Sequence, residues 1–181
     1  MSCQTSDSLT MNIPKITLKH TDLEVSRFCF GTMTFGKPLD QAGATQLVNR
    51  CIDAGINFFD TANVYQKGVA ETMLGHAIKG KRDRLIMAGK VHGKMGDEPD
   101  QQGLSRKAIL RAIDESLERL GTDYLDICLM HCLTEADWTD RYRSAMDALE
   151  EARQKGIIRA HGCSCHSIEA LRAAATCGWL P

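Results

Sequence analysis

Short apolar runs alternate with amphipathic segments along the chain, in a repeat of roughly thirty residues that is typical of βα units. Several runs are apolar on both faces, as expected of parallel strands that are covered on both sides. We predict five strands from these runs, at residues 26–33, 57–62, 84–91, 124–131 and 157–163. Residues 16–25 have polar turn residues between two β-prone pieces and are predicted to form a small hairpin before the first unit.

The segments between the predicted strands have the spacing of amphipathic helices. Asp40 is placed to cap the first helix and Gly55 to end it, while Ser105 and Gly121 bound another. Further helices are predicted from the apolar positions at residues 70–79, 145–152 and 167–177. A predicted helix therefore follows each predicted strand.

Five βα units are compatible with a doubly wound sheet or with an incomplete barrel, and periodicity alone does not distinguish the two. The first strand runs into GTMTFG at residues 31–36, which lacks the GxGxxG spacing of doubly wound dinucleotide-binding folds. A complete (β/α)8 barrel usually needs about 250 residues. The chain has 181 residues, so as a barrel it is short by about three units.

Composition narrows the class of protein. With 43% hydrophobic and 25% charged residues, the chain is expected to form one globular domain over residues 1–181, with a disordered tail over 1–13.

The formal net charge of -1 provides no attraction for a polyanion, so nucleic acid is not an expected partner. We find neither a basic segment leading into an apolar one at the start nor a run of ~18 apolar residues, and we expect neither secretion nor a membrane span.

The chain has eight cysteines, and their placement does not suggest a disulfide framework. Cys29, Cys51, Cys128 and Cys132 lie within apolar runs and there is no CxxC pair, so buried reduced thiols in a cytoplasmic protein are expected. The stretch HGCSCH at 161–166, with Cys132 as an added ligand, is an alternative metal site. We favour a buried strand with small thiols there, and predict no metal.

Candidate catalytic residues follow the predicted strands, where parallel α/β folds gather their reactive groups. Asp60, Lys90 and His131 end the second, third and fourth strands, and Tyr65 lies in the loop after the second. Each residue alone is more often structural, as an ion pair, a cap or a packed side chain.

Together these four residues could form a proton-donating site. A neighbouring ammonium stabilises a phenolate, so Lys90 would make Tyr65 a better proton donor, and Asp60 would keep Lys90 charged. His131 could donate a hydrogen bond to the oxygen of a carbonyl substrate. Such chemistry suits carbonyl reduction if a cofactor supplies hydride.

Several motifs resemble the aldo-keto reductase superfamily from about residue 16 to the C-terminus. They are GTMTFG (31–36), DAGINFFDTANVY (53–65), Lys90, LGTDYLD (120–126) and Met130-His131. The resemblance implies a single partial domain, namely an incomplete (β/α)8 TIM barrel that binds NADPH without a Rossmann motif. It also implies NADPH-dependent reduction of an aldehyde or ketone, with a catalytic tetrad that matches Asp60, Tyr65, Lys90 and His131.

The resemblance carries the cofactor contacts over in part. Gly31, Thr32 and Asp60 fall where the family approaches the nicotinamide and its ribose, and Ser164 matches the serine of a Ser-Asn pair that holds the carboxamide. Cys165 stands where asparagine is usual, and a thiol offers only a weak donor and a weak acceptor. The family's remaining nicotinamide-stacking and adenosine-phosphate contacts lie beyond the matched part.

A second interpretation accepts the ancestry without the activity: the chain is a truncated, catalytically inactive fragment or an interaction module. A five-stranded parallel sheet leaves two open edges that a closed barrel does not have. These edges call for a partner, either a second copy of the chain or a complementing fragment.

Overall fold

The structure is a computed structural model that describes residues 13–180. Its strands are β1 (Lys15–Thr17), β2 (Glu24–Ser26), β3 (Cys29–Gly31), β4 (Phe58–Asp60), β5 (Ile86–Val91), β6 (Leu125–Leu133) and β7 (Ile158–Cys165). Its α-helices are α1 (Gln41–Asp53), α2 (Val69–Ile78), α3 (Arg106–Leu120), α4 (Trp138–Arg141), α5 (Arg143–Gln154) and α6 (Ile168–Thr176). Short 3-10 turns lie at Arg82–Arg84 and Pro99–Gln101, and a tight turn with two left-handed residues lies at Tyr65–Gly68.

The five strands β3 to β7 form one parallel sheet in which each strand pairs with the next along the chain. A doubly wound sheet would reverse its strand order at a switch point, whereas this order runs in one direction, as in a barrel. Strands β1 and β2 pair antiparallel, which confirms the predicted hairpin. The sheet therefore has the order of successive barrel units.

The helix boundaries follow the predicted caps. The side chain of Asp40 accepts a hydrogen bond from the Gly43 amide at 2.8 Å, and that of Ser105 accepts one from the Ala108 amide at 3.2 Å. Gly121 follows α3 with a φ of 65°, a left-handed conformation that glycine adopts at little cost. These local signals confirm the helix predictions that depended on them.

One predicted strand was wrong, and one short helix was missed. Residues 26–33 are not one strand, because Ser26 ends the hairpin strand β2 and a turn separates it from β3; its hydroxyl donates to the Phe28 carbonyl at 2.6 Å. Helix α4 was not predicted, because its four residues are too few to show a helical repeat.

The sheet packs on both faces. The outer face, under the helices, carries the larger apolar cluster, which includes Met87, Cys128 and Met130. On the inner face the hairpin packs on the strands through a second cluster of Leu23, Val25, Ile86, Ala88, Ile127 and Ala160. Because strand side chains alternate between faces, Lys90 continues the inner row of Ile86 and Ala88 toward the carboxyl end of β5.

The cysteine environments are more varied than predicted. All seven cysteines within residues 13–180 are free, but only Cys128 is buried, while Cys29 is exposed at the start of the sheet's first strand. An apolar run marks a strand, and burial of each position in it depends on the neighbours that the fold supplies.

The tail predicted over 1–13 lies outside the described residues except for Ile13, which is buried. Across residues 13–180, every helix is too short or too polar to cross a bilayer.

Candidate active site

Strand register brings three of the candidate residues to one end of the sheet. Asp60 on β4 is paired with Ala88, two residues before Lys90 on β5, and Lys90 is paired with Leu129, two residues before His131 on β6. All three lie at or near the carboxyl ends of adjacent parallel strands. The structure thus places them on the edge where barrel enzymes carry their reactive groups.

The Lys90 ammonium is the centre of the site. Its Nζ lies 2.5 Å from Asp60 Oδ2, 3.0 Å from the Thr61 carbonyl oxygen and 3.1 Å from Tyr65 Oη. An ammonium has three donors, so these contacts use all of them. With Lys90 only 7% exposed, the cation is fixed in place and shielded from solvent.

Tyr65 reaches Lys90 from the loop after β4, where the backbone is unusual. Its amide donates to the Ala62 carbonyl at 3.1 Å, and the next two residues, Gln66 and Lys67, have φ values of 49° and 52°. Consecutive non-glycine residues in the left-handed region are uncommon and cluster at functional sites. This loop conformation sets the phenol against the end of β5.

His131 lies beside the phenol. The centroids of the Tyr65 and His131 rings are 5.9 Å apart, in an edge-on arrangement at 78°. Burial, helped by the positive charge of Lys90, lowers the pKa of His131 to about 4. The imidazole is therefore neutral near pH 7, with one N–H to donate and one nitrogen to accept.

Besides Asp60, the three other residues expected at the cofactor lie at the same end. Thr32 is fully buried, and its amide and hydroxyl both donate to the Asp60 carbonyl at 3.0 Å. A Cβ built on Gly31 would have no heavy atom within 4 Å, so space lies open beside it. Ser164 is half-buried near the end of β7, the strand that pairs with the His131 strand.

Residue-by-residue reasoning did not single out two polar groups at this site. The Thr61 carbonyl accepts from Lys90, and the Nδ1 of His92 donates to the His131 carbonyl at 2.6 Å, since a carbonyl can only accept. Thr61 lies inside the DTANVY stretch, so its position next to Asp60 was the available signal. His92 comes directly after the apolar run of β5, so the sequence gives no sign that it differs from an ordinary loop residue.

The HGCSCH stretch does not converge as one cluster. His161 stacks on Trp179 with ring centroids 4.3 Å apart and lies 3.1 Å from a Glu150 oxygen. The sulfurs of Cys163 and Cys165 are 3.7 Å apart, and both residues pack against the outer apolar cluster. His166 is the one member of the stretch that lies beside Cys132, with 3.6 Å between the Cys132 Sγ and the His166 Nε2.

Comparison with known proteins matches this geometry to one family. A family model described as "Aldo/keto reductase family" matches residues 27–181. "Protein tas" of Escherichia coli K12 is 37% identical over 175 residues, which cover 81% of this chain and 50% of that protein. The "Uncharacterized oxidoreductase YqkF" of Bacillus subtilis is 34% identical over 146 residues, which cover 80% of this chain and 46% of that protein.

A solved structure gives the same result. The holo form of an aldo-keto reductase from Bacillus halodurans superposes with a TM-score of 0.75 at 35% identity, covering 85% of this chain and 51% of that one. The chain spans about half the length of the curated relatives it matches. The predicted fold, an incomplete TIM barrel of this type, is thereby confirmed. The chain belongs to the aldo/keto reductase family.

Proposed function

We propose that the site carries out NADPH-dependent reduction of an aldehyde or ketone to an alcohol, with Tyr65 as the general acid. One observation carries the proposal: the Tyr65 hydroxyl lies 3.1 Å from a buried lysine ammonium that is itself paired with a carboxylate at 2.5 Å. A cation at that distance stabilises the phenolate that remains when the proton has moved to the substrate oxygen.

The other residues of the tetrad have supporting roles. Asp60 supplies the counter-charge of the Lys90 ammonium and fixes its position, since a buried ammonium without a counter-charge is costly. His131, neutral because its pKa is lowered to about 4, donates a hydrogen bond to the substrate carbonyl beside the phenol. The carbonyl oxygen would then meet two donors, Tyr65 and His131.

The residues present fit the nicotinamide end of the cofactor. Gly31 leaves open space beside β3, and Thr32 and Ser164 lie at the same end as the tetrad. When bound, NADPH supplies the hydride that the carbonyl carbon receives. The chain's own residues hold the nicotinamide against the sheet and deliver the proton, so that hydride and proton together complete the alcohol.

Two measurements test the proposal. NADPH titrated into the chain, followed by cofactor fluorescence, should show saturable binding, and NADPH oxidation with a panel of aldehydes should proceed. Tyr65→Phe should lower the oxidation rate by about 10²- to 10⁴-fold while leaving NADPH affinity unchanged. Tyr142→Phe, a change in the helical layer, is the matched control and should keep the rate. An active Tyr65→Phe variant would overturn the assignment of the acid.

A second candidate is a catalytically inactive chain that acts through binding to other proteins. It is favoured by the half-length coverage of the relatives and by strands β3 and β7, each of which pairs with one neighbour in the described sheet. Such a chain would show no NADPH binding, and its mass in solution would reveal a homo-oligomer or a bound complementing fragment. The free thiols fit a cytoplasmic location for either candidate.

The resemblance places an asparagine where this chain has Cys165, but Cys165 packs against the outer apolar cluster, with its sulfur 3.7 Å from that of Cys163. The proposal therefore assigns the nicotinamide carboxamide to Ser164 and not to Cys165.

A further inference from the structure

A bulge in β6 places Cys132 on the side of the sheet that carries His131. The β6–β7 register shifts between Met130 and Leu133, with Met130 opposite Cys163 and Leu133 opposite Cys165. Two residues of β6 therefore stand where β7 has one, which is a β-bulge. The outer row continues from Met130 to Leu133, and the extra residue is accommodated by a φ of 59° at Cys132.

The bulge changes which side chains meet. With regular alternation, Cys132 would point to the helical layer, away from His131. Instead, one ligand atom from each of His131, Cys132 and His166 lies within 4.8 Å of the other two. The Cys132 Sγ and His166 Nε2 are 3.6 Å apart, which is about the separation of a sulfur and a nitrogen bound tetrahedrally to one zinc ion.

Three hydrogen bonds to backbone carbonyls hold this trio in position. The His166 amide donates to the Leu133 carbonyl at 2.7 Å, and the Ser167 hydroxyl donates to the Thr134 carbonyl at 2.6 Å. These bonds fasten the segment after β7 to the end of the bulge. His92 donates to the His131 carbonyl at 2.6 Å, so the residue before Cys132 is fixed as well. The ligands would need only small side-chain movements to close on an ion.

We propose that His131, Cys132 and His166 form a zinc-binding site with a fourth coordination position open to solvent. Two imidazoles and a thiolate are ligands that Zn²⁺ prefers, and the thiol gives up its proton to solvent when the metal binds. Both Cys132 and His166 are accessible at the surface, so an ion can enter. The charge of nearby Lys90 does not oppose the ion fully, because Asp60 pairs with it at 2.5 Å.

Zinc bound to the ring nitrogen of His131 that faces the substrate would compete with a carbonyl, because a nitrogen that binds metal carries no proton to donate. Zinc on the other nitrogen would leave that N–H in place. The inference does not depend on the proposed reductase function, because it concerns direct metal binding. A chain without reductase activity would still be expected to bind the ion.

The test is isothermal titration of the metal-free, reduced chain with zinc chloride, followed by substitution with Co²⁺. We expect one zinc per chain and a cobalt spectrum with a thiolate-to-metal charge-transfer band and intense visible bands of tetrahedral coordination. Cys132→Ser and His166→Gln should each weaken binding by more than about 100-fold, and Cys132→Ser should abolish the charge-transfer band. Circular dichroism checks that both variants remain folded.

Cys163→Ser is the matched control, because Cys163 lies near the site on β7 but belongs to the outer layer. It should keep the zinc affinity and the cobalt spectrum. The inference is overturned if the chain binds no zinc, if Cys132→Ser or His166→Gln binds as tightly as the unmodified chain, or if Cys163→Ser removes the charge-transfer band instead.

Discussion

Each end of the parallel sheet holds an ion-paired carboxylate: Asp126 with two cations at the amino end, and Asp60 with one at the carboxyl end. At the amino end, Asp126 is fully buried and lies 2.8 Å from Arg82 and 2.7 Å from Arg159. It also accepts a hydrogen bond from the Met87 amide at 2.9 Å. At the carboxyl end, Asp60 keeps 26% of its side chain exposed and pairs with Lys90.

The difference lies in the last partner of each cluster. Every contact that holds Asp126 comes from a group that cannot give up a proton at ordinary pH, namely two guanidinium groups and one amide. The Lys90 cluster ends on the Tyr65 hydroxyl, which can donate its proton to another molecule. The amino-end cluster thus stabilises the fold, and the carboxyl-end cluster has the composition of a reactive site.

The largest expected effect comes from removing the cation of the carboxyl-end cluster. Lys90→Met should lower NADPH oxidation with an aldehyde by about 10²-fold or more, because the phenolate of Tyr65 loses its stabilising charge. Steady-state rates measured beside those of Lys94→Met, whose side chain is 61% exposed, provide the comparison. If Lys90→Met kept most of the rate, the carboxyl-end cluster would have a structural role only, like the amino-end cluster.

Removing the carboxylate of the amino-end cluster should instead unfold the chain more easily. Asp126→Ala leaves Arg82 and Arg159 without their shared partner and the Met87 amide without an acceptor, at a cost of about 3–5 kcal/mol in the free energy of unfolding. Urea denaturation measures this loss. A midpoint equal to that of the unmodified chain would contradict the structural role.

The pH dependence of stability separates the two ends further. The folded-state pKa of His131, about 4, lies below its ordinary value of 6.5, so between these values the unfolded chain binds more protons. Stability contributed by neutral His131 is therefore lost as pH falls from about 6.5 toward 4, by at most about 1.4 kcal/mol per pH unit. His131→Gln should flatten this slope in denaturation series, and the exposed-site variant His76→Gln should not.

The smallest expected change in stability comes from the exposed ion pair at the edge of the amino-end cluster. Asp22 pairs with Arg159 at 3.0 Å, but its side chain is 83% exposed. Asp22→Ala should change the free energy of unfolding by less than about 1 kcal/mol, because water screens an exposed ion pair. If Asp22→Ala lowered the free energy of unfolding as much as Asp126→Ala, burial would not explain why the two aspartates differ in their contribution to stability.

The sequence predicted what local chemistry determines. Helix caps depend on a few neighbouring residues, so they can be predicted from a short stretch of sequence. The caps predicted at Asp40, Ser105 and Gly121 are all present in the structure. The ends of the apolar runs likewise located Asp60 and Lys90, because a parallel strand carries its polar residues where it leaves the sheet.

The features that were not predicted depend on pairing between distant segments. The bulge at Cys132 arises from the way β6 pairs with β7. No residue type in that stretch indicates a bulge. Periodicity describes one strand at a time and carries no information about such registers.

The hairpin that packs on the inner face of the sheet limits the directions from which a small molecule can reach the site. Leu23 and Val25 are almost wholly buried against the inner face, and they block passage along that face from the amino end. A small molecule that reaches Lys90 would therefore approach from the carboxyl ends of the strands, on the side away from the hairpin.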